Sequence, residues 1–112
     1  MKHTVSLKGN RAFRRLYAKG KSSGGALVVL YCRRNGSREN RLGLTVGTRV
    51  GKAVIRNRVR RRLREIYRLH EAQMRSGWDI VAVARTRAAE ADYRALEAEF
   101  LKVAGKLGLL IP

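Results

Sequence analysis

Cysteine is almost missing from this sequence: Cys32 is the only one among 112 residues. No internal disulfide can form, which excludes a disulfide-stapled secreted scaffold and fits a reducing, cytoplasmic location. His3 and His70 are the only histidines and lie far apart, so a zinc-finger ligand set is excluded too. Long apolar runs are lacking. The longest, Ala26–Cys32, has seven residues, against roughly 18 for a membrane span. The opening MKHTVSLKGN contains no apolar core of the kind a signal peptide needs, so neither secretion nor a membrane partner is expected. Aromatics make up only 6%. Acids are the most telling shortage: eight, against 26 Lys and Arg, for a net charge of +18. Those acids lie scattered, mostly beyond residue 65, and no Ser/His, Cys/His or paired-carboxylate cluster accompanies them. No catalytic residue and no metal site is therefore expected in this chain.

What is present points one way. An apolar fraction of 45% is ordinary for a globular protein. A chain of this length buries about two-thirds of its unfolded surface, so residues 1–112 read as a single domain with its own core. The charge is concentrated: residues 1–70 hold 20 bases and two acids, Glu39 and Glu65, whereas residues 71–112 hold six of each sign. Evenly spread basicity would serve solubility. This asymmetry marks a binding face for a polyanion, and nucleic acid is the common one.

Hydrophobic spacing outlines the elements. Phe13, Leu16 and Tyr17 recur at helical steps between Asn10 and Gly20, predicting a helix over about 10–19. Lys21–Gly25 reads either as a loop or as a short strand with a turn. Ala26–Cys32 reads as a central strand, Asn35-Gly36 as a hairpin turn, and Leu42, Leu44 and Val46 as its antiparallel partner. Ile55, Val59, Leu63 and Ile66 form one apolar stripe of a helix over about 52–70, and Arg56, Arg60, Arg64 and Arg68 form a second stripe on another face. A strand follows from Trp78 to Ala84. A last helix, capped by Asp92, carries Tyr93, Leu96, Phe100, Val103 and Leu107. That element order implies an α+β sandwich on an antiparallel or mixed sheet.

Residues 49–64, RVGKAVIRNRVRRRLR, contain eight bases and no acid. Packed into about 24 Å of helix, these cations repel one another unless anions sit between them. Solvated helix faces mix signs at i, i+4; this one does not. The guanidinium fork matches phosphate oxygens, so the segment reads as a phosphate-contacting surface. The string Gly51-Lys52-Ala53-Val54-Ile55-Arg56-Asn57-Arg58-Val59-Arg60-Arg61-Arg62-Leu63-Arg64-Glu65 closely resembles the RNR signature of the bacterial ribonuclease P protein component. Leu7-Lys8 with Phe13 and Gly20, the segments Leu27–Tyr31 and Leu42–Val46, and Asp79-Ile80-Val81 with Ala84-Arg85 extend the resemblance over nearly the whole chain.

The resemblance implies a ribosomal-S5-domain-2-like α/β sandwich, with three helices on a central, roughly four-stranded sheet and a left-handed βαβ crossover. Periodicity says nothing of that hand, and the general rule for such crossovers predicts the opposite one. It also implies a division of labour. The RNA subunit of ribonuclease P hydrolyses precursor tRNA with Mg²⁺, which that RNA mainly binds, and releases the 5′ leader. The protein binds the catalytic RNA and the leader, with no obligate protein partner. Carried over onto this sequence, the RNA-facing residues are Arg49, Lys52, Arg56, Asn57, Arg58, Arg60, Arg61, Arg62, Arg64 and Arg68. Arg62 lies near the apolar stripe, and Asn57 bonds either locally or to RNA. The leader cleft takes Phe13, Tyr17 and Tyr31, as base-stacking rings or as core, with Arg11 and Arg14 as phosphate-steering cations. Thr48-Arg49 departs from the pair of lysines many relatives carry there. The rival readings are a basic ribosomal or rRNA-assembly protein and a helix-turn-helix DNA binder. The latter needs two adjacent short helices, which the element order does not offer.

Overall fold

A computed structural model describes every residue, Met1–Pro112. The elements run β1 (Thr4–Ser6), α1 (Asn10–Lys19), β2 (Lys21–Gly24), β3 (Val28–Arg34), β4 (Asn40–Thr45), α2 (Ala53–His70), β5 (Trp78–Ala84) and α3 (Tyr93–Lys106), with short 3₁₀ turns at Thr48–Val50, Glu71–Gln73 and Thr86–Ala89. The strands form one mixed sheet in the order β1-β4-β5-β3-β2. β4 is parallel to both β1 and β5, while β3 is antiparallel to β5 and to β2.

Side-chain alternation sorts the core into two layers. Val28, Leu30 and Cys32 of β3, Leu42 of β4, and Ile80, Ala82 and Ala84 of β5 face one side of the sheet. There they meet Val59, Leu63, Ile66 and Tyr67 of α2 and Leu96, Phe100, Val103 and Ala104 of α3. The other face is thinner: Val81 packs with Leu7 and with Leu16, the one fully buried residue of α1. β5 is therefore apolar on both faces, which suits a central strand of a sheet covered on two sides. Asp92 caps α3 as expected, accepting from the Ala95 N–H at 2.8 Å.

The structure corrects the sequence reading in two places. The sheet has five strands where roughly four are expected; the added one, β1, is a three-residue edge strand too short to show periodicity. The expected β3–β4 hairpin does not form, because β5 lies between those strands. Asn35-Gly36 instead belongs to a loop passing the start of β5. The Asn35 N–H donates to the Gly77 carbonyl at 2.9 Å, and its side-chain amide donates to Asp79 at 3.1 Å. The doubly apolar β5 takes the interior position that a hairpin would have denied it.

Several polar anchors tie distant segments together. Tyr67 on α2 shares its hydroxyl with Thr4 of β1 at 2.8 Å and accepts from buried Asn40 at 3.0 Å. Glu71 accepts the N–H groups of Lys2 and His3, which clamps the first residues to the end of α2. Glu99 on α3 accepts three consecutive N–H groups, those of Ala26, Leu27 and Val28, and so holds the turn before β3.

Candidate nucleic-acid interface

The basic segment lies on α2, whose apolar stripe faces the sheet and whose remaining circumference carries the arginines. Gly51 makes the entry possible. Its φ of +149 is open to glycine, and an added Cβ would crowd Ile55 at 3.1 Å. Around the helix the arginines fall into three groups. Asn57, Arg61, Arg64 and Arg68 are exposed on the outer surface, beside exposed Lys52 and Arg49 before the helix. Arg56 and Arg60 are half-buried on the flank toward β4; Arg56 donates to the Gly51 carbonyl at 3.1 Å, and Arg60 donates to the Asn57 side chain at 2.9 Å. The Asn57 side-chain oxygen is thus engaged locally.

Arg58 and Arg62 form the third group. Both turn toward the loop between β5 and α3, donating to the Ala89 and Ala91 carbonyls at 3.0 Å each. The Arg58 Nε is buried without a partner. These two side chains brace the fold as well as charging the surface, a role that spacing along the helix does not reveal. Arg68 is also partly spent. Its guanidinium pairs with Glu65, and their hydrogen bond lowers the Glu65 carboxyl and raises Arg68 from their ordinary values.

The thinly covered sheet face holds the aromatics. α1 lies across it, pressed down by Leu16. Phe13 sits on Gly43, where an added Cβ would come within 2.6 Å of the ring, so only glycine admits the close approach. Tyr17 is 38% exposed, shares its hydroxyl with Thr45 at 2.7 Å and meets Tyr31 edge-on, with ring centroids 4.9 Å apart. Tyr17 and half-buried Tyr31 are thus accessible rings on a rigid floor, whereas Phe13 has a packing duty as well.

Two cationic recesses adjoin this floor. Toward α2, Phe13, Gly43 and Leu44 share a notch of about 380 Å³ at the sheet edge with Arg60 and Arg64. Toward the ends of β4 and β5, Thr45, Val83, Arg49, Arg85 and Arg87 line an open depression of about 660 Å³. Arg85 and Arg87 were missed by the sequence reading. They stand in the charge-balanced half of the chain, and only the parallel pairing of β4 with β5 brings them beside Arg49. Arg14 is exposed on the outer side of α1, while Arg11 lines a separate depression beyond the opposite flank and not the aromatic floor.

The Ribonuclease P family profile matches residues 1–108 of this chain. The chain belongs to the ribonuclease P protein family. Ribonuclease P protein components of Natranaerobius thermophilus and Alkaliphilus oremlandii are 43% and 41% identical to it over 110 residues, covering 98% of this chain and 96% of each relative. The solved ribonuclease P protein of Staphylococcus aureus superposes with a TM-score of 0.87 at 27% identity, covering 97% of this chain and 98% of that one. The Thermotoga maritima protein gives a TM-score of 0.83 at 30% identity, covering 90% and 96%. Family membership makes the chain a subunit of a ribonucleoprotein, the endoribonuclease that matures tRNA 5′ ends. Thr48 and Arg49 line the same depression as Arg85 and Arg87, which therefore holds three cations.

Proposed function

We propose that the whole chain acts as one cytoplasmic RNA-binding domain with two surfaces. The outer face of α2 holds the catalytic RNA of ribonuclease P, and the aromatic floor holds the single-stranded 5′ leader of precursor tRNA. The observation that carries this reading is the edge-on pair of Tyr17 and Tyr31 beside two cationic recesses: Phe13, next to Tyr17, lines one together with Arg60 and Arg64 of α2, and Thr45, bonded to the Tyr17 hydroxyl, lines the other. A base laid on a ring gains roughly 1–3 kcal/mol whatever its identity, and the flanking arginines take the phosphates on either side. The notch joins the two surfaces around the sheet edge, so a leader seated on the floor lies against the RNA that α2 grips.

Cutting the phosphodiester belongs to the RNA. The recesses beside the floor present guanidinium groups, hydroxyls and apolar side chains. Guanidinium does not give up a proton near neutral pH, and it repels a divalent cation. This lining suits phosphates, and on this reading the Mg²⁺ of the reaction is left mainly to the RNA. The protein contributes position: it adds contacts for precursor tRNA that mature tRNA lacks, and it screens phosphate charge where RNA strands converge.

Reconstitution tests this reading. Added to a bacterial ribonuclease P RNA at low Mg²⁺, the chain should raise precursor cleavage and tighten precursor binding more than mature tRNA binding. Equal effects on both tRNA forms would refute the leader assignment. Enrichment of ribosomal RNA instead of ribonuclease P RNA in a pull-down would favour the ribosomal reading.

A further inference from the structure

α1 crosses the sheet face and divides it. Phe13 and Tyr17 project from one flank toward the aromatic floor. From the other flank, Ala12 and Arg15 border a second recess of about 450 Å³, closed by the ends of β3 and β5. Its cations are Lys8, Arg11, Arg15, Arg33, Arg34 and Arg41. The recess has a single carboxylate, Asp79, and internal donors already engage both its oxygens: Arg41 reaches it with two bonds of 2.7 and 2.8 Å, and Asn35 adds a third at 3.1 Å. Lys8, Arg11, Arg15 and Arg33 are exposed and make no salt bridge within the chain. Arg34 lies over the Trp78 ring, 5.6 Å from its centroid.

The lining chemistry selects the ligand. No aromatic ring borders this recess, so a base has nothing to stack on, whereas phosphates meet several uncompensated cations. Arg14, exposed on the crest of α1 opposite buried Leu16, stands between the two recesses. A strand leaving the aromatic floor reaches the second recess by crossing one helix diameter, about 10 Å. We propose that the recess beneath the Arg15 flank of α1 holds the sugar-phosphate backbone of the distal leader, beyond the nucleotides seated on Tyr17 and Tyr31. This extends the leader reading above and rests on it. The contact is blind to sequence and sensitive to salt, because only phosphates are gripped.

The experiment measures holoenzyme affinity for three substrates: mature tRNA, precursor with a leader of about four nucleotides, and precursor with one of about twelve, lengths that span known single-strand site sizes. Wild type is compared with Lys8→Gln/Arg33→Gln, which keeps much of each side chain's length, and with Arg15→Gln as a second variant on the helix side. A melting curve for each establishes folding. Wild type should bind the long leader more tightly than the short one, whatever its distal sequence. The double variant should bind long and short leaders alike, with the short-leader advantage over mature tRNA intact. Its salt slope for the long leader should shrink by about 1.4, from roughly 0.7 per single-strand phosphate. A double variant that keeps the long-leader gain overturns the proposal, as does wild type that gains nothing from lengthening. Weakening of all three substrates alike would assign the recess to the catalytic RNA and overturn it as well. If wild type does not distinguish short-leader precursor from mature tRNA, the underlying leader reading fails first.

Discussion

Arg58 and Arg61 sit three residues apart on α2, and one pair of substitutions separates bracing from RNA contact. Arg61 is exposed and has no hydrogen bond within the chain, whereas Arg58 is half-buried against the Ala89 carbonyl at 3.0 Å. Replacing Arg58 with Ala removes a hydrogen bond from a charged donor, which contributes about 1.5–3 kcal/mol. It also relieves the buried, unpaired Nε, a desolvation cost of about 1–3 kcal/mol. The two terms oppose each other. The lost packing of the side-chain stem tips the balance toward a net destabilisation on the order of 1 kcal/mol. For a domain of this size that lowers Tm by about 4 °C or slightly more. Arg61→Ala should leave Tm within about 2 °C, since surface substitutions fall within about 0.5 kcal/mol. Its effect belongs in RNA binding, where losing one phosphate contact lowers the salt slope by about 0.9 on duplex RNA, taking B-DNA as the guide. The assay pairs a melting curve with dissociation constants for the catalytic RNA at several salt concentrations. An Arg58→Ala protein of unchanged Tm whose salt slope falls as far as that of Arg61→Ala would refute the bracing role.

Tyr17→Ala and Tyr31→Ala should each weaken precursor binding by roughly 1–3 kcal/mol and leave mature tRNA binding nearly unchanged; equal losses for both tRNA forms, tracking Tm, would make the rings core. Tyr17→Phe should be milder, though it gives up the hydrogen bond to Thr45, which a small drop in Tm would register. Gly43→Ala should destabilise by about 1–3 kcal/mol in denaturant titration, since its Cβ would displace the Phe13 ring; unchanged stability would show that α1 yields freely. Glu71 supplies a pH dependence. Burial pushes its carboxyl up, but hydrogen bonds, including those from the Lys2 and His3 N–H groups, outweigh it and leave the value below the ordinary 4.5. A lowered carboxylate stabilises the fold above its ordinary value and loses that contribution as pH falls through its folded value. Acidification below about 4.5 should therefore free residues 1–6 first, read as faster amide exchange at Asn40, whose N–H bonds the His3 carbonyl. Glu71→Gln should show fast exchange at neutral pH already.

Local features of the chain determined much of this protein. The stripe Ile55, Val59, Leu63, Ile66 is enough to define α2 and its buried side, since helical spacing acts within a few residues. Gly20 ends α1 and Asp92 begins α3 for equally local reasons. The surplus of arginine over 49–64 gives α2 an uncompensated cationic surface suited to a polyanion, wherever the helix packs. Strand order is another matter. Asn35-Gly36 has the composition of a hairpin turn, yet β3 and β4 are parted because β5, apolar on both faces, gains more from the interior of the sheet than a local turn gains by closing. That single displacement carries Arg85 and Arg87 to Arg49, and sets Asp79 between Arg33 on β3 and Arg41 on β4. The same holds for side chains. Arg58, Arg61 and Arg62 look alike in sequence, and only the arrival of the β5–α3 loop, with its carbonyls 3.0 Å from two of them, decides which brace the fold and which face outward. Long-range packing makes these assignments because the partner groups lie about thirty residues away along the chain, beyond the reach of any periodicity.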